Sequence, residues 1–426
     1  MTETLPERFA ARMGALLGPD FPTDIALAVS GGGDSMAMLA MAHDWARVFG
    51  VKLWVVTVDH GLREESAGEA EMVARECALL GHPHATLRWH WDGQGNLQDA
   101  ARRARLELID RWRGGIEHVL MAHTQDDVAE TFLMRLARGS GVEGLSAMAE
   151  SRVVAGESGP FRVMRPLLNE VRADLRHHIR TLKVPYVDDP SNADERFDRV
   201  RARRALASLG IDAETLAGTA KRLGRAAEAL AQRAADVARD CVSEATWAGQ
   251  PTGDLLIERD SFARVERDTQ LRVLASALQW VASSEYRPRA RALEDLLDRA
   301  LSGGGGTLLG ARTIVGRTEI RICREYAALA DRITPIGEKA VVWDSRWRVV
   351  QTVADRNLTL RALGPDGWQQ AGEKPESAPP HDAAICLPAV FEGDRLVAFH
   401  CAEKQGGLEV SFQPPAGQFI TFLVSR

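Results

Sequence analysis

Ser30-Gly31-Gly32-Gly33-Asp34-Ser35 follows the apolar run Ile25-Ala-Leu-Ala-Val29 and precedes a largely apolar stretch from Met36 to Phe49. This order predicts a strand, a glycine loop and a helix. Consecutive glycines cost roughly 1 kcal/mol each in backbone entropy against alanine, so the chain must need bare backbone here. A phosphate supplies that need, because it is bound by main-chain N–H groups and by the positive end of a helix. A tight turn that only packs the helix on the strand is the alternative.

The composition of this loop excludes two nucleotide-binding classes. It lacks the lysine of the motif G-x-x-x-x-G-K-[ST], which reaches the terminal phosphates in P-loop kinases and GTPases. It also fails the dinucleotide spacing G-x-G-x-x-G, since Met36 stands at the third glycine position. Ser30 and Ser35 add hydroxyl donors, and Asp34 can hold a metal ion.

Outward from the loop, further apolar runs at Leu53–Val58 and Val119–Ala122 alternate with amphipathic stretches, which predicts an α/β fold with a parallel, Rossmann-like sheet. We expect this α/β domain over residues 1–210, a mainly helical domain over 211–332 and a small strand-rich domain over 333–426. The polar stretch from Gly364 to Asp382 is expected to be a loop.

The composition supports a globular protein of several domains. The 426 residues include 45% apolar and 26% charged side chains, enough to form cores. The N-terminus lacks the apolar stretch of a signal peptide, and no apolar run is long enough for a membrane span. Five scattered cysteines fit free thiols in a reducing cytoplasm. Because the net charge is −6, any nucleic acid must be met by local basic patches.

Charged side chains follow the second predicted strand and the helix after it. His60 and Arg63, in Asp59-His60-Gly61-Leu62-Arg63, stand where strand ends line the ligand crevice of an open sheet, so they could approach adenine or phosphate. Arg102 and Arg105 lie three residues apart and share one helix face. A cap, a surface ion pair and solvated arginines are the alternatives.

A second charged group follows the third predicted strand, in Ala122-His123-Thr124-Gln125-Asp126-Asp127-Val128-Ala129-Glu130-Thr131. Asp127, Glu130 and Arg138 are spaced to share one face of the helix that begins there. Two carboxylates and an arginine could recognise a zwitterionic amino acid or hold Mg²⁺. Acids in a first helical turn are also ordinary dipole partners.

The loop SGGGDS resembles that of the N-type ATP pyrophosphatases. Together with VDHGLR, GNLQDAARRAR, AHTQDDVAET, RGSG, RPLL and DDPSN, in order from residue 24 to about 205, it resembles the tRNA(Ile)-lysidine synthetase family. That family usually carries an Arg-Asn pair and another Arg after DPSN, whereas Arg199-Val200-Arg201-Ala202-Arg203-Arg204 lacks the Asn.

The resemblance implies an enzyme that uses ATP and Mg²⁺ to adenylate the wobble cytidine of a tRNA(Ile) with a CAU anticodon. L-lysine then replaces the C2 oxygen, and AMP and pyrophosphate are released. The expected ATP-binding residues are Ser30, Gly31, Gly32, Gly33, Asp34, Ser35, His60 and Arg63. The expected catalytic residues are Asp34, Arg102, Arg105, Asp127 and Arg138. Asp127 and Glu130 are expected to bind lysine, and Asp34 is expected to bind Mg²⁺. The expected tRNA-binding residues are Arg199, Arg201, Arg203 and Arg204, with Lys221, Arg222 and Arg225 beyond them.

Three other functions compete with this interpretation. A tRNA thiolase is disfavoured because such enzymes commonly need a cysteine pair or an iron–sulfur cluster, and the catalytic half holds only Cys77. A small-molecule amide or amidine synthetase is disfavoured by the extra domains and the arginine-rich stretch. A silent RNA-binding module is disfavoured by the presence of Asp34, Asp127 and Glu130. The oligomeric state stays open, with a homodimer as one option.

Overall fold

The computed structural model describes residues 3–61, 65–91, 93, 97–188, 198–337, 339–351, 358–373, 377–401 and 408–424. Its contacts divide the chain into two compact units, Met1–Ala227 and Glu228–Arg426. The predicted boundary at 210/211 falls before this division, which lies inside the helix Ala213–Cys241. The further boundary at 332/333 stays a prediction. Among the described residues, no helix combines the length and apolarity that crossing a membrane requires.

The first unit is built around one six-stranded sheet with the strand order β3-β2-β1-β4-β6-β5. All neighbouring strands run parallel except β5 and β6, which form an antiparallel hairpin. The strands are β1 (Asp24–Ala28), β2 (Lys52–Asp59), β3 (His84–Arg88), β4 (His118–Met121), β5 (Ser151–Val154) and β6 (Phe161–Met164).

Nine helices, counted over the described residues, begin in this unit. They are α1 (Leu5–Leu17), α2 (Gly33–Phe49), α3 (Ser66–Leu80), α4 (Leu97–Arg113), α5 (Gln125–Ala137), α6 (Val142–Leu145), α7 (Arg172–Leu182), α8 (Asp198–Leu209) and α9 (Ala213–Cys241). The predicted α/β class with a parallel sheet is confirmed.

Apolar packing explains why β1 lies at the centre of this sheet. Ile25 and Leu27 point into a core shared with Met36, Leu39 and other side chains of α2, while Ala26 packs on the opposite face. A strand buried on both faces has to be continuously apolar, as the run Ile25–Val29 is. The strand order reverses direction between β1 and β4, so the ends of these two strands flank the crevice where open α/β sheets bind ligands.

The second unit contains three antiparallel sheets. The first has the order β7-β8-β11-β10-β9, the second β12-β15-β16-β17 and the third β13-β14-β18. The strands of the first sheet are β7 (Val242–Trp247), β8 (Gln250–Glu258), β9 (Gly306–Leu308), β10 (Ala311–Val315) and β11 (Glu319–Arg324). Those of the other two are β12 (Thr334–Ile336), β13 (Val341–Trp343), β14 (Trp347–Gln351), β15 (Leu358–Ala362), β16 (Pro388–Glu392), β17 (Arg395–Phe399) and β18 (Leu408–Phe412).

The helices of this unit are α10 (Arg259–Ala263), α11 (Arg267–Ala282), α12 (Ala290–Leu301), α13 (Gly364–Gln370), α14 (His381–Ala384) and α15 (Phe419–Val424). Residues 211–332 therefore carry a five-stranded sheet beside the expected helices. The expectation of a loop over Gly364–Asp382 is wrong for α13, because Trp368 packs into buried apolar clusters and holds that helix on the sheet.

Candidate active site

The glycine loop lies at the end of β1 and leads directly into α2, as its sequence predicts. Gly31 adopts a φ of 87°, and a Cβ atom there would lie 3.3 Å from the Met72 side chain, so only glycine fits without strain. Gly32 is the N-cap of α2, and its neighbour Gly31 accepts a hydrogen bond of 2.9 Å from the amide of Val187. The loop is thus braced from outside, with its own amides at a helix N-terminus.

The loop hydroxyl groups bond to one another. Ser35 Oγ donates to the carbonyl of Gly32 at 2.9 Å and accepts from the amide of Ser30 at 3.2 Å, while the two serine hydroxyls lie 3.3 Å apart. These contacts fix the loop shape, since a hydroxyl can donate once and accept twice.

Asp34 presents its two carboxyl oxygens to different surroundings. Oδ2 accepts a hydrogen bond of 3.0 Å from Arg172 Nε, whereas Oδ1 is buried with no hydrogen-bond partner among the residues that the structure describes. Burial outweighs the neighbouring Arg172 and raises the pKa of Asp34 above its usual value. A buried, unpartnered carboxylate oxygen beside a phosphate-type loop is suited to a hard cation.

The helix α5 carries the two carboxylates that the sequence predicts to bind lysine. Thr124 caps this helix, and Asp127 Oδ2 accepts from both the amide and the hydroxyl of Thr124, at 2.9 and 3.0 Å. This capping box leaves Oδ1 of Asp127 for other partners. One turn later, Glu130 is only 2% exposed, so its carboxylate requires buried cationic partners.

Arg172, the first residue of α7, supplies the main cation of this site, and the sequence motifs do not predict it. Its guanidinium donates to Asp34 Oδ2 at 3.0 Å, Glu130 Oε1 at 3.1 Å and Asp127 Oδ1 at 3.3 Å. Its amide donates to Asp126 Oδ2 at 2.8 Å, which anchors the start of α7 beside α5. The three carboxylates raise the pKa of Arg172 against the opposing effect of burial, so it is cationic at neutral pH.

Two arginines of α8 complete the group around α5. Arg203, predicted to bind tRNA, donates to Glu130 Oε1 through Nε at 3.0 Å and through an Nη atom at 2.8 Å. Arg199 lies with an Nη atom 3.8 Å from Asp127 Oδ1. Burial opposes ionisation of Asp127, but Arg172, the Thr124 amide and Arg199 outweigh it and lower its pKa. Asp127 is therefore ionised at neutral pH, and both Asp127 and Glu130 are paired with arginines.

A second group of arginines has no carboxylate within ion-pair distance among the described residues. It consists of Arg102 and Arg105 on α4, Arg135 on α5, Arg152 on β5 and Arg165 after β6. Burial, and then repulsion by Arg152 and Arg102, lowers the pKa of Arg165 to about 10. Burial, followed by repulsion from Arg199 and Arg102, likewise lowers the pKa of Arg105. Such an excess of positive charge favours an anionic ligand.

Two histidines at the strand ends are neutral at physiological pH. Burial, and then Arg105, lowers the pKa of His60 to about 4, and an Nη atom of Arg105 lies 3.5 Å from His60 Nε2. His123 follows β4, and burial is the first cause that lowers its pKa to about 4 as well. The Nδ1 atoms of both rings are buried without a partner among the described residues, so their hydrogen-bonding capacity is unused in this structure.

The other predicted site residues have different surroundings. Arg138 caps the C-terminal end of α5 and forms an ion pair with Asp198 at 2.8 Å, whereas Asp127 and Glu130 pair with other arginines. Arg201 also pairs with Asp198. Arg201 and Arg204 are exposed on α8. Arg63 and the segment Asp189-Pro190-Ser191-Asn192 lie outside the described residues.

A large open cavity lies at the opposite end of the strands. It encloses about 670 Å³ and is lined by Asp24, Trp54, Trp112 and His118, among others. The predicted site residues that the structure describes do not line it, because Asp24 and His118 are the first residues of β1 and β4. The chemistry-bearing groups thus lie at the carboxyl ends of the strands, away from this cavity.

Residues 5–209 match the family profile of the PP-loop domain. The chain is 41% identical over 415 residues to a tRNA(Ile)-lysidine synthase of Ruegeria pomeroyi, and the match covers 95% of each chain. It is 42% identical over 298 residues to a tRNA(Ile)-lysidine synthase of Methylobacterium nodulans, covering 68% of this chain and 85% of that one.

Among solved structures, the chain is similar to a U34-tRNA thiolase from Methanococcus maripaludis that holds a 4Fe-4S cluster. The TM-score is 0.41 and the identity 14%, with 51% of this chain and 78% of that chain covered. At this level the likeness indicates nothing about the ligands of this chain.

Proposed function

Because the chain belongs to the tRNA(Ile)-lysidine synthase family of PP-loop enzymes, we propose that it ligates L-lysine to C2 of the wobble cytidine of tRNA(Ile). ATP supplies the activation: its AMP moiety is transferred to the C2 oxygen of cytosine, and pyrophosphate leaves. The lysine ε-amine then attacks C2, the C2–O bond breaks and AMP departs, which leaves lysidine. A tRNA with a CAU anticodon is the substrate expected from the resemblance.

The glycine loop is the binding site for the ATP phosphates. Gly31, Gly32 and Gly33 offer main-chain N–H groups at the start of α2, where the helix dipole favours negative charge. Because Val187 braces the loop from outside, the amides are ordered before ATP arrives. Donors ordered in advance cost little reorganisation when charge builds on the leaving pyrophosphate.

Asp34 is the proposed ligand for Mg²⁺ through its buried, unpartnered Oδ1. The described residues contain no group of three or more His, Cys, Asp or Glu side chains that could hold a metal alone. Mg²⁺ is commonly held by one or two carboxylates together with waters and substrate phosphates, so a single free carboxylate oxygen beside the loop fits it. When bound there, the ion neutralises developing charge on the phosphates.

Asp127 and Glu130 are the proposed lysine-binding carboxylates. A lysine amine has a pKa near 10.4, so only about one molecule in a few thousand is neutral at pH 7. Asp127 is a weak base, since its partners lower its pKa, and its part is to orient the amine rather than to take the proton. Both carboxylates are held by hydrogen bonds within α5 and from the arginines beside it, which fixes where the amine would lie.

The second group of arginines, which have no carboxylate within ion-pair distance among the described residues, is proposed to bind the phosphate of the adenylated base. Arg102 and Arg105, with Arg152 and Arg165, place several positive charges near His60 and His123. A phosphate there relieves the mutual repulsion of the guanidinium groups and stabilises the leaving AMP oxygen. A catalytic role of Arg138 is also proposed. Arg138 would have to leave its ion pair with Asp198 to act on the substrate.

Exposed basic side chains on α8 and α9 are proposed to contact the tRNA backbone. They are Arg199, Arg201, Arg204, Lys221, Arg222 and Arg225. Such contacts release condensed counterions, so binding should weaken steeply as the salt concentration rises. The cytoplasm is the compartment that fits a reaction on tRNA and ATP, and a homodimer stays an untested prediction.

The observation that carries this proposal is the meeting of Asp34 from the ATP loop with Asp127 and Glu130 through one guanidinium. The test is to incubate the protein with labelled lysine, ATP, Mg²⁺ and total tRNA, then to digest the tRNA and identify the labelled nucleoside. Lysidine, formed with one pyrophosphate per lysine, is expected. Label recovered in another nucleoside, or pyrophosphate release that depends on ammonia instead of lysine, would refute the proposal.

A further inference from the structure

Two of the carboxylate oxygens that could receive the ammonium group of lysine, Asp127 Oδ1 and Glu130 Oε1, already accept hydrogen bonds from arginine. Asp127 uses Oδ2 to cap its own helix, so Oδ1 remains, and Arg172 lies 3.3 Å from it. Glu130 Oε1 accepts from Arg172 at 3.1 Å and from Arg203 at 2.8 Å. A lysine ammonium that bridges these two oxygens would therefore take the position of the Arg172 guanidinium, which bridges them now.

Of the two arginines that contact Glu130, Arg172 is the one whose side chain can move away. Its contact to Asp127 is its longest, at 3.3 Å, while the contact of its Nε atom to Asp34 is 3.0 Å. Its amide is separately fixed by Asp126, so the side chain can move while the helix start stays in place. Arg203, in contrast, holds Glu130 with two donors, at 3.0 and 2.8 Å.

Charge explains why a cation is favoured in this position. Asp34, Asp127 and Glu130 come from two helices and lie around one guanidinium, with side chains that are largely buried. Without a cation between them, the carboxylates would repel one another in surroundings of low dielectric. A guanidinium and an alkylammonium can both satisfy them, because both donate N–H groups to carboxylate oxygens.

We propose that Arg172 is a positioning residue. Its guanidinium occupies the cation-binding position between Asp127 and Glu130, and the ammonium group of lysine displaces it from that position. This inference rests on the proposed function. The guanidinium of Arg172 keeps its contact with Asp34 when lysine enters, so the amino-acid place and the ATP loop remain linked. Lysine binding is then an exchange of one cation for another. The apparent affinity for lysine is reduced because lysine can bind only those molecules in which Arg172 has left the position.

The first test compares lysine binding by the full chain, with a non-hydrolysable ATP analogue and Mg²⁺ present, in three variants. Arg172→Gln removes the competing cation, and we expect the Kd for lysine to fall about tenfold or more. Arg172→Lys retains a cation, and its Kd should stay within about threefold of the unsubstituted protein. Arg180→Gln, on the exposed side of the same helix, is the matched control and should leave the Kd unchanged.

Steady-state kinetics separate this role from a merely structural one. If Arg172 only tied the helices together, Arg172→Gln and Arg172→Lys would both raise the KM for lysine, because the paired carboxylates would shift. That result, or an unchanged Kd in Arg172→Gln, would overturn the inference. If the unsubstituted protein forms no lysidine, the proposed function fails instead, whatever Arg172 does.

A second measurement needs no variant and covers the case in which Arg172→Gln does not fold. A crystal structure with lysine should show a lysine nitrogen within hydrogen-bond distance of Asp127 Oδ1 and Glu130 Oε1, with the guanidinium of Arg172 moved away from both. Lysine bound elsewhere, with Arg172 still on both carboxylates, would contradict the exchange.

Discussion

Arg172 Nε lies 3.0 Å from Asp34 Oδ2, so the helix that begins at the glycine loop is joined by an ion pair to the start of α7. The same guanidinium reaches Asp127 and Glu130 on α5. The place proposed for the metal and the place proposed for lysine therefore share a single side chain. The other residues of the two places are distinct, so substitutions in the loop and on α5 should affect ATP and lysine to different extents.

Gly31→Ala should impair ATP binding. The residue adopts a φ of 87°, and the new methyl group would lie 3.3 Å from the Met72 side chain, so the loop must strain or shift. We expect the Kd for an ATP analogue, measured by titration calorimetry, to rise at least about tenfold. Gly14→Ala in α1 is the control, since its methyl group meets nothing within 4 Å and ATP binding should not change.

Asp127→Asn and Glu130→Gln should weaken lysine use more than ATP use. Each removes one negative charge from the proposed ammonium site, and charged hydrogen bonds typically contribute about 1.5–3 kcal/mol, which corresponds to roughly a 10- to 150-fold rise in the KM for lysine. The KM for ATP should change little. Glu107→Gln, an exposed position on α4, serves as the control. Equal changes in both KM values would point to loss of structure and against the assignment.

Arg201→Gln with Arg204→Gln should reduce the salt dependence of tRNA binding. If each arginine neutralises one phosphate, the slope of log K against log salt should fall by about one for each substitution. Arg203→Gln should leave the slope nearly unchanged, because Arg203 is directed at Glu130. Filter binding at several salt concentrations measures the slopes. Equal slopes for the Arg201/Arg204 double variant and for Arg203→Gln would show that Arg201 and Arg204 do not meet the backbone.

His123→Asn should lessen the loss of stability in acid. Burial lowers the pKa of His123 to about 4 in the folded chain, against about 6.5 when unfolded. Between those values the unfolded state binds a proton that the folded state does not, so stability falls as the pH is lowered from 6.5 to 4. The substitution should reduce this slope by up to one proton, about 1.4 kcal/mol per pH unit. Denaturant unfolding at pH 7, 6, 5 and 4.5 measures the slope, and an unchanged slope would contradict the prediction.

Asp344→Ala should destabilise the second unit. Asp344 accepts two hydrogen bonds from Arg324, at 2.8 and 2.7 Å, and one from Arg332 at 3.0 Å, and its side chain is 3% exposed. The substitution leaves the buried guanidinium of Arg324 without its carboxylate partner. It should lower the free energy of unfolding by about 3–5 kcal/mol. Asp298→Ala, which breaks an exposed pair with Arg267, is the control and should change little. Equal losses would contradict the burial argument.

The central strands and the glycine loop could be predicted because their signals are local. The run Ile25–Val29 is continuously apolar, and three consecutive glycines before Asp34 indicate a loop that binds phosphate through its main chain. The strand His84–Arg88 could not be predicted in this way, because it is short, polar and only half-buried, so its pattern carries no clear alternation. It forms because β2 offers it a parallel partner, which is a tertiary cause.

The proposed site could be predicted only in part from the sequence, because it too depends on tertiary contacts. Asp127 and Glu130 can be identified from their helix spacing, but Arg172 stands 42 residues after Glu130 and resembles an ordinary first-turn arginine. Spacing also suggests Arg138 on the same face, whereas the structure pairs it with Asp198 at the end of α5. A sequence pattern shows which side chains share a helix face, while the fold decides which distant side chain meets them.

The central claim is that the main-chain amides of residues 31–33 bind the ATP phosphates while Asp34 holds Mg²⁺. The most direct measurement is a crystal structure with Mg²⁺ and an ATP analogue that cannot be cleaved between the α and β phosphates. We predict phosphate oxygens within hydrogen-bond distance of those amides and a metal-bound Asp34 Oδ1. A triphosphate bound elsewhere, with the loop amides facing only water, would contradict the account.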